Sequence, residues 1–149
     1  MSHLSRRCAA VLLASVVVLG GCGHAIDTPP AGDAPVQLTP VPGTGLKSVA
    51  LSAEAANRIG VKTTPVGAAA GGAAGQLQVP YAGIVYDEQG GTWVYTPTGP
   101  NTYVRQRVKV DHIAGTVAVL SEGPAAGSEV VTEGSQELLG AEYEISGEG

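Results

Sequence analysis

From Leu77 onward, short apolar runs rich in β-branched and aromatic residues alternate with turns carrying Gly or Pro. That rhythm restricts the chain to a small all-β architecture, because each run is too short and too sharply interrupted for a helix. The runs are Leu77 to Val79, Ala82 to Tyr86, Thr92 to Thr96, Thr102 to Val110, Val117 to Leu120 and Glu129 to Thr132. Between them stand Gln89, Gly90 and Gly91, the stretch from Pro97 to Asn101, Gly115, and the stretch from Gly123 to Gly127. The expected domain is sandwich-like or barrel-like, with a core of Val, Ile, Leu and Ala, since the chain has no Phe and only six Tyr or Trp residues.

Upstream the same reading continues. Val49 and Leu51 mark a short strand, and Ser52 stands as the N-cap of one short helix over Ala53 to Ile59, which Gly60 stops. Val61 to Val66 resumes as a strand. The Gly/Ala-rich tract from Gly67 to Gly75 is either a flexible loop or a seam between two structural pieces. At the far end, Ser135 to Leu139 is expected as a single helical turn, ahead of a last strand at Tyr143 to Ile145. The β domain is thus expected to span residues 46–146, with the seam at 67–75.

The N-terminal segment belongs to a different class. Arg6 and Arg7 precede an apolar run from Ala9 to Leu19, and Gly20 and Gly21 lead directly into Cys22. A basic region, an apolar region and small residues before a cut make residues 1–21 a secretory signal peptide, and Cys22 completes a lipobox. The Cys22 sulfur is then the lipidation site, and palmitate-type acyl chains hold the protein at the extracytoplasmic face of the cell membrane. The apolar run is about a dozen residues, short of the roughly 20 that span a bilayer, so the expected attachment is by lipid. The arginine pair also admits twin-arginine export; the residues after it favour the general secretory route. Gly23 to Gly45 carries Pro29, Pro30, Pro35, Pro40 and Pro42 among small and polar residues. Residues 22–45 are accordingly expected to be a lipidated, disordered spacer.

Loss of the signal takes Arg6 and Arg7 with it. The 8 basic and 13 acidic side chains of the whole chain become 6 against 13, a formal charge of −7. Such a chain is a poor nucleic-acid ligand. Cys8 leaves with the signal and Cys22 takes the lipid, so no disulfide is available and stability rests on burial.

The residues offer no catalytic constellation, and no enzyme activity, cofactor or metal is expected. His112 is the one histidine expected inside the domain, where it reads as a turn residue beside Asp111. The most suggestive feature is a basic stripe. Along Thr102 to Val110, alternation puts Val104, Val108 and Val110 on one face and Tyr103, Arg105, Arg107 and Lys109 on the other. Arg105, Arg107 and Lys109 then either contact lipid phosphates or an acidic partner, or form a solvated face paired with cross-strand Glu.

The order of these segments resembles a known family. Val49 to Val66 is similar to the stretch that opens the structured part of efflux-pump periplasmic adaptors, also called membrane fusion proteins. Val79 to Tyr86 followed by Gly91 to Tyr95 resembles their C-terminal region, and Tyr103 to Val110 and Gly127 to Gly134 resemble the strands that close their membrane-proximal domain. The resemblance implies a membrane-proximal-type domain assembled from both ends of the chain. The Gly67–Gly75 tract stands where the lipoyl and hairpin modules of full adaptors would lie, which makes this a truncated form. It also implies a non-catalytic role, docking on or modulating an inner-membrane transporter. The alternative is a free-standing lipoprotein that binds a small or lipidic ligand.

Overall fold

A computed structural model describes residues 34–69 and 75–146. The expected signal peptide, Cys22 and the first part of the expected spacer lie outside the described residues. What is described is mostly β: eleven strands in antiparallel sheets, with two short α-helices and one 3₁₀ turn. The sheets do not close into a barrel, which corrects that half of the expectation.

The first sheet runs in the order β1 (Val36–Pro40), β2 (Lys47–Leu51), β8 (Thr102–Arg107), β7 (Thr92–Gly99), β6 (Val85–Tyr86). A second runs β4 (Gly67–Ala68), β5 (Leu77–Pro80), β10 (Val117–Glu122), β9 (Lys109–Ala114). A third pairs β11 (Glu129–Glu133) with β3 (Lys62–Pro65). Segments on either side of the Gly/Ala tract therefore share sheets. Val49 opposes Tyr103, and Thr64 opposes Val130.

Two apolar clusters form the core. One holds Val49, Leu51, Val85, Tyr95, Tyr103, Val131 and Leu138. The other holds Val66, Val79, Ile84, Val94, Val108, Leu120 and Val130. Adjacent residues go to different clusters: Ile84 and Val85, Val94 and Tyr95, Val130 and Val131. Successive strand side chains point to opposite faces, so β7, β11 and the step from Ile84 into β6 are buried on both sides. Such strands carry consecutive apolar residues where a one-sided strand would alternate. Gly83 makes the fit close, since a Cβ there would lie 2.7 Å from the Val131 carbonyl oxygen.

Helix α1 (Ala53–Ile59) follows the sequence closely. The Ser52 side chain accepts from the Ala55 N–H, and Gly60 closes the helix in the left-handed region at φ 71°. Five other segments depart from expectation. The spacer does not run to Gly45: Val36 to Pro40 is the edge strand β1, joined to β2 by a turn closed by Val41 N–H to the Leu46 carbonyl. Val36 and Leu38 sit at alternate positions and pack on the first cluster, which compensates for ordering the segment. Pro40 falls at the strand's end, where an edge tolerates a missing donor. The Gly67–Gly75 tract begins as β4, with Gly67 opposite Gln78; residues 70–74 lie outside the described residues.

The expected single strand from Thr102 to Val110 is broken at Val108. β8 ends at Arg107, the Val108 side chain enters the second cluster, and β9 starts at Lys109 in the other sheet. His112 accordingly lies within a strand, β9, and not in a turn. The segment from Ala82 likewise opens as a 3₁₀ turn (Tyr81–Gly83) before the two-residue β6.

The expected helical turn and last strand at the C-terminus are one continuous helix, α2 (Ser135–Ser146), so the described residues hold two α-helices where one was expected. Gly134, at φ 85°, turns the chain out of β11, and Leu138 is fully buried. Ser135, Leu138, Leu139 and Glu142 recur at the three- and four-residue spacing of one helical face.

Candidate functional site

The pairing of β7 with β8 sets Tyr95 opposite Arg105 and Trp93 opposite Arg107. Directly opposed residues share a face, so the indole, the phenol and both guanidinium groups stand on one side of the sheet. This is the side on which α2 packs, and the helix adds Glu142 and Tyr143.

Glu142 is the hub of the cluster. Its Oε2 accepts the Tyr95 hydroxyl at 2.6 Å, and its Oε1 accepts Arg105 Nη2 at 3.0 Å. The Arg105 and Glu142 side chains are only 12% and 6% exposed. Arg105 also lies 5.0 Å from the Trp93 ring centre and 5.6 Å from that of Tyr143. Burial and the Glu142 carboxylate together hold the Tyr95 hydroxyl well above the ordinary phenol value. Burial is the largest single influence on Arg105 and disfavours its cation, but the Glu142 carboxylate together with Tyr143 and Tyr95 outweighs it and the pKa rises. Arg105 Nε is buried without a hydrogen-bond partner among the described residues. Arg105 is thus a clamp between sheet and helix, and the expectation that it projects outward in a contact stripe is corrected. Tyr103, on the same face, is buried as well. The face expected to meet water is inward because α2, expected only as a single turn over Ser135 to Leu139, runs on to Ser146 and covers it.

Arg107 and Lys109 remain exposed, in different settings. The Arg107 guanidinium rests 5.4 Å from the Trp93 ring centre. The indole is fixed by its Nε1–H, which donates to Asp87 Oδ2 at 2.8 Å. Asp87 Oδ1 accepts the Gln89 and Gly91 backbone N–H groups. The bonds from Trp93 and Gly91 lead in holding this carboxyl below its usual range, with the charge of Arg107 adding to them. Lys109, in the second sheet, reaches the cross-strand Glu122 at 3.7 Å, both side chains being well exposed. Arg107 and Lys109 nevertheless share one open groove of about 430 Å³, together with Thr92, Val108, Val110, Glu122 and the Gly90–Gly91 turn.

Sequence reasoning found the three cations and missed the groups that sort them: Glu142, Trp93 and Asp87. Glu142 stands four residues after Leu138, but a carboxylate on an otherwise apolar helical face conceals the face. Among the described residues, no three His, Cys, Asp or Glu side chains gather as a metal site, and no helix is long and apolar enough to cross a membrane. Comparison of the chain with protein-family models, with curated proteins and with solved structures finds no match in any of the three.

Proposed function

We propose that this chain is a lipid-anchored envelope protein, attached through Cys22 at the extracytoplasmic face of the cell membrane, whose non-catalytic β domain docks on or modulates an inner-membrane transporter. In this reading the domain is a sandwich-like, membrane-proximal-type unit related to that of efflux adaptors. The observation that carries the reading is the interleaving of the two chain halves. β2 and β3 precede the Gly/Ala tract, yet β2 pairs with β8 and β3 with β11. A domain assembled from both ends of the chain is what the resemblance implies, and the tract then falls in the β4–β5 hairpin, where inserted modules would leave the domain intact.

Metabolic labelling with a fatty-acid analogue tests the anchor. The wild-type protein is expected to be labelled and to sediment with membranes, whereas Cys22→Ala is expected to be unlabelled and released. Equal labelling of the variant refutes lipidation at Cys22. Cross-linking the lipidated protein in membranes, followed by pull-down, tests docking. Recovery of a polytopic transport protein supports the proposal, and its repeated absence among the cross-linked species rejects it.

A further inference from the structure

We propose that the groove at the step from β8 to β9 binds a phosphate group through Arg107 and Lys109, the phosphate being that of an anionic phospholipid headgroup. The choice of headgroup rests on the anchored reading above; the phosphate chemistry rests on the groove itself. Six cationic side chains follow Cys22. Arg58, Lys62 and Arg105 are committed to Glu54, Glu133 and Glu142, and Lys47 has an interaction of its own. Arg107 forms no ion pair among the described residues, and its ring contact is with Trp93.

A guanidinium resting on an indole face is oriented by it while its in-plane N–H donors stay available, and that planar fork matches two phosphate oxygens. The nearby Asp87 carboxylate does not compete strongly, because its oxygens already accept three N–H groups and one of these holds Trp93 in place. Lys109 adds a second cation in the same groove. Its pair with Glu122, at 3.7 Å and well exposed, is of the kind that holds weakly and opens readily. The domain as a whole is acidic, so an anionic surface attracts it only at short range, within a screening length of about 8–10 Å. The anchor supplies that proximity. Ala34 lies twelve positions after Cys22, a reach of at most roughly 43 Å at about 3.3–3.6 Å per residue.

Trp93 is the only tryptophan of the chain and lies under Arg107, so its emission and its indole N–H resonance report on the site directly. The probes are sodium phosphate at constant ionic strength, and vesicles of phosphatidylcholine with or without phosphatidylglycerol. Both are added to unacylated Cys22→Ser protein. A saturable shift with phosphate is expected, with the same shift from phosphatidylglycerol vesicles at lower phosphate-group concentration. Arg107→Gln is expected to weaken both responses roughly ten-fold, about the worth of one charge-assisted contact, with far-ultraviolet circular dichroism and the urea midpoint nearly unchanged. No shift with either probe, or an equal shift in Arg107→Gln, overturns the site. A response to phosphate with none to phosphatidylglycerol vesicles overturns the headgroup and leaves a free phosphate site. Loss of Cys22 labelling, measured separately, removes the anchor without touching the groove titration.

Discussion

Replacing Glu142 with Ala tests whether α2 is held by its buried carboxylate. The substitution leaves the Tyr95 hydroxyl, fully buried, without an acceptor, a loss of about 1–3 kcal/mol for an orphaned buried donor. It also leaves Arg105, 12% exposed, as an unpaired cation, and breaking one side of a buried pair typically costs about 3–5 kcal/mol. The two losses share one carboxylate and do not add, and Ala returns a few tenths of a kcal/mol in helix propensity. A net destabilisation of about 3–5 kcal/mol is expected, against a total of about 5–15 kcal/mol for a typical domain. Urea unfolding followed by Trp93 emission and by far-ultraviolet circular dichroism measures it as a lower midpoint at unchanged slope. Glu142→Gln keeps an acceptor for Tyr95 while removing the charge, so it should fall between wild type and Ala. The double variant Arg105→Leu with Glu142→Leu leaves no buried charge unpaired and should recover much of the loss. A cost below about 1 kcal/mol for Glu142→Ala, or a double variant as unstable as the single, refutes the clamp.

Val108→Ala removes two methyl groups at the break between β8 and β9, where the side chain is buried in the second cluster, and is expected to cost about 1–3 kcal/mol in the same urea assay. The tyrosines set an alkaline limit. Burial, with Glu142 adding to it, raises Tyr95, and burial raises Tyr103, so the folded chain retains protons that the unfolded chain releases near pH 10. Their contribution is therefore complete below about pH 10 and declines as pH rises further. Tyrosinate absorbance should show these two ionising only together with unfolding; their smooth, reversible titration in folded protein would contradict the assigned burial.

The strand rhythm from Leu77 onward, the Ser52 and Gly60 caps of α1 and the strand at Val49 were legible because each depends on local chemistry: turn residues that set backbone angles, caps that satisfy orphaned N–H groups, apolar runs bounded by Gly. The pairs Val94 with Tyr95 and Val130 with Val131 also carried their message of burial on both faces in the order of the residues. The polarity of β8 was not legible. Alternation shows that Tyr103, Arg105 and Arg107 share a face, but not whether that face meets water or another element. Strand periodicity is symmetric under exchange of the two sides, and only a covering element breaks that symmetry. Here the element is α2, remote in sequence and disguised by Glu142 among its buried positions. Its carboxylate has a favourable place there only because Arg105 and Tyr95 stand opposite. Tertiary packing thus turned three apparently equivalent cations into a buried clamp, a cation resting on an indole, and an exposed lysine in a second sheet.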